Sequence, residues 1–402
     1  MRSERHFILV LSATLAACQS DTRPPPDAGV HTEDSAGVRI VEYAVTPDTE
    51  APFRFAPEPL YRYGAGPGDY MFTWVAAGVL LNDGGAAIYD AASGDLMLLG
   101  PDGRSGSVLA SRGEGPSEVD GPPKAMLPLG QDSLLVQDYA NTRFSLFAGG
   151  SFVRTTTIAP ELSQAFGARG TTDDGNVLMS STRSVRPSQE GWEPGYLVRL
   201  DLADGATDTI ASYDWVPPRP PIGTRTRNPA PHHGAIVPVR GEFVHARTDK
   251  PELTWRRMDG SIRQIARWQP EWVYPTDEHR DQLASEMESG LQDELGTLTE
   301  EDRAATIESA LATFQFDTDK PLPLFTGLMA DDEGRVWLRE YYPSLETTTR
   351  SYIVFSPDGM RLGQVNVPEG LRVFDVNRGR VLGVMKGEMD VLNVVVYKLV
   401  ER

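Results

Sequence analysis

Two copies of one loop motif constrain this chain more than any other feature. Gly64-Ala65-Gly66-Pro67-Gly68-Asp69 returns 49 residues later as Gly113-Glu114-Gly115-Pro116-Ser117-Glu118. Aligning the copies brings Asp90, closing Ala86-Ala87-Ile88-Tyr89-Asp90, beside Asp138, closing Leu134-Leu135-Val136-Gln137-Asp138. Two landmarks recurring at nearly the same spacing, 49 and 48 residues, identify a structural repeat. A period of roughly 40 to 50 residues with short apolar runs between glycine turns reads as the blades of a β-propeller.

Each blade should contribute one hairpin turn between its first two strands and one between its last two, and Asp-Gly or Asn-Gly dipeptides are the strongest local markers of such turns. Six pairs occur. They are Asp83-Gly84 with Asp102-Gly103, Gln131-Asp132 with Gly149-Gly150, and Asp174-Gly175 with Asp204-Gly205. The others are Arg240-Gly241 with Asp259-Gly260, Glu333-Gly334 with Asp358-Gly359, and Arg378-Gly379 with Gly387-Glu388. Runs such as Arg143 to Phe147, Tyr196 to Leu202, Tyr352 to Phe355 and Leu392 to Val400 have the length and the β-branched and aromatic content of strands. The sixth blade is one strand short at Leu392 to Val400. Phe53 to Tyr63, which precedes the first glycine loop as Ser107 to Ser111 precedes the second, supplies that strand and closes the ring, removing two open sheet edges. The expected architecture is all-β: a six-bladed β-propeller closed by an N-terminal strand.

One segment interrupts the pattern. From Thr276 a helical stripe runs through Leu283, Met287 and Leu291, and Thr299-Glu300-Glu301-Asp302 opens a second stripe of Ile307, Leu311 and Phe314. This predicts a helical insertion, about residues 276–316, between blades four and five. It holds eleven carboxylates from Asp277 to Glu308 against Arg280 and Arg303. A solvated acidic face is the plain reading, and a lid or partner-docking role the alternative.

Ahead of the propeller, the positively charged Met1 to His6 precedes an apolar run, Phe7 to Ala17, too short to span a bilayer and suited to a cleaved signal peptide, residues 1–17. Leu15-Ala16-Ala17-Cys18 resembles the lipobox of bacterial lipoproteins. That resemblance implies acylation of Cys18, the only cysteine in the chain, and a lipid membrane as partner, stable anchoring requiring two or more chains. Gln19 in place of Asp points to the outer membrane of the cell envelope. Residues 18–37, with Arg23-Pro24-Pro25-Pro26-Asp27, read as a flexible tether, leaving 38–402 as the propeller. A net charge of −19 with no concentrated basic face argues against nucleic acid as a partner.

The Gly-x-Gly-Pro-x-(Asp/Glu) loops, the strand-end Asp and the Pro-Asp-Gly turns followed by Arg resemble NHL-type propellers. With the lipobox and the ending Leu392 to Arg402, the chain looks like the six-bladed β-propeller lipoproteins of bacteria. The resemblance implies a fold and an address and no particular reaction.

In a propeller, the connections between blades and the loops between second and third strands share one face, where the channel opens. That face should carry Asp138 and Asn141, the long loop Trp215 to His233 with Arg225, Arg227, His232 and His233, and Glu340-Tyr341-Tyr342. Arg225 and Arg227 either pair with local carboxylates or hold an anionic ligand bidentately. His232 and His233, being adjacent, point to opposite sides, so one at most faces the channel. Asp90 and Asp138 either accept hydrogen bonds from the turns that follow them or join a carboxylate set for Ca²⁺. The glycine-proline loops lack the helix and lysine of a phosphate-binding loop and read as turns. Neither a Gly-x-Ser-x-Gly elbow nor a recognisable triad is present.

Two function classes remain. One is a non-catalytic binding or scaffolding propeller for a peptide, glycan or small ligand. The alternative is a metal-dependent lactonase or lyase with a divalent ion held by Asp, Glu and Asn in the channel. Inward-pointing oxygen ligands would separate them.

Overall fold

The computed structural model describes residues 29–44, 49–64, 66, 68–130, 132–172, 174–182, 191–218, 228–290, 299–341, 350–387 and 391–402. Six antiparallel sheets follow one another along the chain as the blades of a propeller. Blade one is β5 Val75–Leu80, β6 Ala86–Asp90, β7 Asp95–Leu99 and β8 Gly106–Ala110; blade two is β9 Ala125–Leu129, β10 Ser133–Asp138, β11 Arg143–Ala148 and β12 Ser151–Thr157. A short helix, α1 Pro160–Ala165, leads into blade three: β13 Phe166–Thr171, β14 Val177–Ser181, β15 Glu193–Leu200 and β16 Thr207–Val216. Blade four is β17 Gly234–Val239, β18 Glu242–Arg247, β19 Glu252–Arg257 and β20 Ile262–Arg267. Blade five is β21 Phe325–Ala330, β22 Val336–Glu340, β23 Ser351–Phe355 and β24 Arg361–Asn366, and blade six supplies β25 Arg372–Asn377, β26 Arg380–Lys386 and β27 Leu392–Glu401.

The ring closes with N-terminal chain, as the sequence implies, but through two short strands. β3 Phe53–Phe55 pairs with the end of β27, Phe55 opposite Leu399, and β4 Tyr61–Tyr63 pairs with its start, Tyr63 opposite Val394. Between them Ala56 and Leu60 still donate to the Lys398 and Val396 carbonyls at 2.8 and 2.7 Å, so β27 has no open edge over most of its length. Phe53, Phe55, Tyr61 and Tyr63 alternate inward with exposed or partly exposed neighbours and are buried in the wedges on either side of blade six. Burying an aromatic side chain is worth about 1.5–3 kcal/mol, so closure is driven as much by packing as by the ladder.

Three expectations need correcting. Gly387 lies between β26 and β27, the second and third strands, not in an outer hairpin turn, because the fourth strand of blade six comes from the other end of the chain. The tether expected through Gly37 ends earlier: β1 Val30–Ser35 and β2 Val38–Tyr43 form a hairpin, and β2 joins β20 in parallel, widening blade four to six strands. The long loop expected from Trp215 starts later, because β16 runs through Val216. The helical insertion is present between blades four and five as α2 Asp277–Gly290 and α3 Glu300–Leu311, the latter capped by Thr299, whose side chain accepts from the Asp302 amide.

Hydrogen bonds link the turns of successive blades on the side opposite the blade-to-blade connections. Arg240 of blade four donates Nε and Nη2 to the Asp332 carbonyl at 2.8 and 2.6 Å, and the Arg378 amide of blade six reaches Asp332 Oδ1 at 2.7 Å. Arg378 Nη1 donates to the Asn82 carbonyl of blade one, and Asn82 Nδ2 to the Gly130 carbonyl of blade two. Arg240 and Arg378 occupy the left-handed region at φ 42° and 51°, ahead of the glycines that mark these turns.

Candidate functional site in the central channel

The middle strands of the blades are sealed while the innermost strands are not. β6 and β14 are buried at every residue, whereas Ala235 to Pro238 of β17 and Thr326 to Ala330 of β21 are all half-buried. Innermost strands are flanked by other blades, so the solvent they meet is that of the central channel. Four of the six carry a bulge that inserts one extra residue into that edge: Ala76, Arg169, Thr326 and Phe374. Bulges re-aim side chains and break the pairing register. Arg169 shows the result. It lies on an innermost strand yet is exposed, and its Nε donates to Ser180 Oγ at 2.7 Å. Desolvation pushes its pKa down, as for a cation ringed by protein.

Asp375, on β25, accepts from the Leu80 amide of blade one through Oδ2 at 2.9 Å and from the Val376 amide through Oδ1 at 2.9 Å. Burial pushes its carboxyl up to about 6. At the opening near blade six, Arg372 donates to the Val75 carbonyl and stacks over the Phe374 ring at 4.7 Å, while Arg339 Nε donates to Thr326 Oγ1 at 2.6 Å.

The site residues expected from sequence are distributed differently. Arg225 and Arg227 lie outside the described residues. His232 is buried, with Nδ1 3.5 Å from Thr248 Oγ1 and the ring bonded to the Pro321 carbonyl, and burial lowers its pKa. It holds the return from the helical insertion against blade four. His233 is half-buried, its amide donating to Thr248 Oγ1 at 2.9 Å.

Asp138 and Asn141 are engaged in the second copy of the glycine loop. Asp138 is fully buried; its Oδ2 takes Asn141 Nδ2 at 2.8 Å and Arg143 Nε at 3.1 Å. Arg143 then donates to the carbonyls of Glu114, Gly115 and Glu118 at 3.0, 2.7 and 2.8 Å, and Asn141 Nδ2 to that of Gly113 at 3.1 Å. Within the loop, Glu118 Oε2 accepts the Gly115 amide at 2.7 Å, as Asp69 Oδ2 accepts the Gly64 and Gly66 amides at 3.0 and 2.8 Å in the first copy. The repeated motif is thus a self-closing turn, its acid positioned to satisfy glycine amides. Asp90 likewise takes the amides of Thr73, Trp74 and Ala92 at 2.9, 3.0 and 3.1 Å.

These engagements bear on a channel metal. Asp90 and Asp138 spend their oxygens on backbone and Arg143, and among the described residues no three His, Cys, Asp or Glu side chains lie close enough to hold an ion. Asp90 and Asp138 thus hold turns in shape and do not form a carboxylate pair for Ca²⁺.

The arginines of the channel wall and mouth are what sequence reasoning missed. Arg169, Arg339, Arg350 and Arg372 are scattered along the chain; the only local signal was a charge set among small residues in Gly167-Ala168-Arg169-Gly170. Some other guanidinium groups are paired with carboxylates, while Arg240, Arg256, Arg378 and Arg380 donate to backbone carbonyls. Arg247 grips Asp249 at 2.9 and 2.7 Å, reaches Asp214 at 2.9 Å and stacks on Trp192 at 4.0 Å; Arg335 holds Asp331 at 2.6 Å; Arg263 holds Glu242 at 2.7 Å.

No protein-family model and no curated protein sequence matches the chain. Solved structures do. A protein of Bacteroides fragilis described as exported superposes with a TM-score of 0.50 at 10% identity, covering 90% of this chain and 99% of its own. A DUF4221-family protein from Bacteroides vulgatus gives 0.44 at 11% identity, over 93% and 99% of the two chains. A calcium-binding regucalcin from Agrobacterium tumefaciens gives 0.40 at 12%, over 87% and 96%. At such identities the likeness is one of fold.

Proposed function

We propose that this chain is an exported cell-envelope propeller, tethered to the membrane through acylated Cys18, that binds a small ligand, peptide or glycan end in its central channel without transforming it. The observation that carries the reading is the contrast between sealed middle strands and half-buried innermost strands, which leaves a solvent-open channel edged by bulged strands. The inner edge of each blade presents backbone amides and carbonyls without a further strand to pair with, and such groups are ready partners for a polar ligand. The side chains around them, including Ile236, Leu328, Phe374 and Arg169, combine apolar surface with a few fixed polar groups.

The reading is tested by hydrogen exchange on the full-length chain, with and without a small-molecule extract of the envelope, alongside native mass spectrometry. Slowed exchange confined to β13, β21 and β25, with an added mass released on denaturation, is expected. Unchanged exchange in the innermost strands and a bare chain mass would sink it. Release of a chemically altered compound would replace binding with catalysis.

A further inference from the structure

The helical insertion between β20 and β21 packs mainly on itself, α2 and α3 each making their main contact with the other and not with a blade. Its base is fixed. The Leu322 amide donates to the Val273 carbonyl at 2.7 Å, joining outgoing and returning chain, and the Leu324 amide donates to the Thr248 carbonyl of blade four at 2.8 Å. The His279 and Phe316 rings meet edge to face, 6.3 Å apart. Yet no helical side chain that the structure describes is buried: Leu283, Ile307 and Leu311 are half-buried, as are Phe314 and Phe316 just beyond α3. A stripe with the spacing of a core is left half in water, because two helices bury only the seam between them.

These side chains line an open groove of about 680 Å³, to which Pro275, Arg280 and Leu283 contribute from the α2 side and Leu311, Phe314 and Phe316 from the other. In the chain leading to it, Trp272, Val273 and Tyr274 are 38%, 51% and 49% exposed, the one run of consecutive exposed large apolar side chains among the described residues. Apolar surface concentrated in this way marks a place where another molecule sits.

The charge around the groove says what kind of molecule. Asp277, Glu278 and Asp281 are exposed on α2, and Asp302 and Glu308 on α3. From Asp277 to Glu308 eleven carboxylates stand against Arg280 and Arg303. Asp277 and Asp281, one turn apart on the same helix, repel each other until a cation lies beside them. An apolar groove with an acidic rim is complementary to a segment of the opposite design, an apolar stripe edged by lysine or arginine. It is a poor match for a second copy of this chain, which would set one acidic rim against another, and for anionic lipid, which it repels.

We propose that α2, α3 and the 272–275 strap are a docking surface for a basic amphipathic helix of a partner protein, which lays its apolar face in the groove and its cations along the carboxylates. The inference goes beyond the channel reading and is independent of it.

The test uses the full-length chain and a fluorescent helical peptide of leucine and lysine, about four turns long with its leucines on one face, against a scrambled peptide of the same composition. Saturable binding of the amphipathic peptide by anisotropy, about tenfold or more tighter than the scrambled one, is expected, with amide exchange slowed in α2 and α3. Asp277→Lys combined with Asp281→Lys should weaken binding about tenfold and flatten its salt dependence. Glu58→Lys, an exposed carboxylate between β3 and β4, should leave it unchanged. Leu283→Ser combined with Leu311→Ser should weaken it about tenfold or more, whereas Leu283→Met with Leu311→Met should bind as the parent does, which separates a lost groove from a lost charge. The proposal is overturned if the amphipathic peptide does not bind saturably, if the scrambled peptide binds as tightly, or if the lysine and serine pairs both bind as the parent does. Dimerisation in sedimentation that the serine pair abolishes would give the groove to a second copy of the chain. Co-sedimentation of the Cys18→Ser chain with phosphatidylglycerol vesicles, lost in the serine pair, would give it to lipid; either result also overturns the proposal.

Discussion

Replacing Arg143 by Met removes the cation that ties the second glycine loop to blade two while keeping the length and apolar character of the stem. Arg143 makes one bond to the fully buried Asp138 and three to loop carbonyls, with only 11% of its side chain exposed. The loop carbonyls can turn to water, so their loss is partly recovered; the Asp138 carboxylate cannot, and removing one partner of a buried pair costs about 3–5 kcal/mol. The chain's length gives an unfolding entropy on the order of 0.8 kcal/mol per kelvin, so a two-state melt should fall by about 4–6 °C. Asp138→Asn combined with Arg143→Met should be milder than Arg143→Met alone, since no uncompensated charge remains. Differential scanning calorimetry with urea titration measures both. A single-variant loss under about 1 kcal/mol, or a double variant worse than the single, would refute the reasoning that this node is held by charge pairing.

Asp375 makes the stability pH-dependent. Its folded pKa of about 6 lies above its unfolded value, so its stabilisation is full below about pH 4 and lost as the pH rises through 6, at most about 3 kcal/mol over that window. Asp375→Asn should therefore gain on the parent between pH 4.5 and pH 7 in urea midpoints, about these magnitudes, and a constant offset would contradict the assignment. Deleting residues through Tyr63 should abolish cooperative unfolding because β27 loses β3 and β4 from its outer edge and the ring reopens, while deleting residues through Asp27 should leave the melt within about a degree; equal melts would count against closure by β3 and β4. Cys18→Ser should move the chain from the membrane to the soluble envelope fraction, and retention in the membrane with unchanged mobility would exclude acylation.

The parts of the fold that were legible in sequence are those encoded locally. Asp83-Gly84, Arg240-Gly241 and Asp358-Gly359 announce turns because a left-handed glycine is needed there, at φ 96°, 75° and 77°. Gly387 misled because a glycine turn says that the chain reverses, not which two strands it joins. The β1–β2 hairpin was hidden by composition: Val30–Ser35 is exposed after its first residue, so no alternation exists to read, and its parallel pairing with β20 is non-local. The placement of the arginines was hidden for a related reason. Arg339 and Arg350 share a face only through the β22–β23 register, and Arg372 meets the Val75 carbonyl of blade one only by blade packing. Asp138 and Asn141 lie at the end of β10 and in the turn after it, where their partners, Arg143 and the Gly113 carbonyl, show them holding a loop in shape.

The most direct test of the central claim is a crystal structure of the full-length chain grown with the small-molecule extract of the envelope. A channel open to solvent is predicted, with a small ligand hydrogen-bonded at about 2.7–3.2 Å to the innermost strands β13, β21 or β25. A channel plugged by side chains, or a ligand bound only outside it, would contradict the claim.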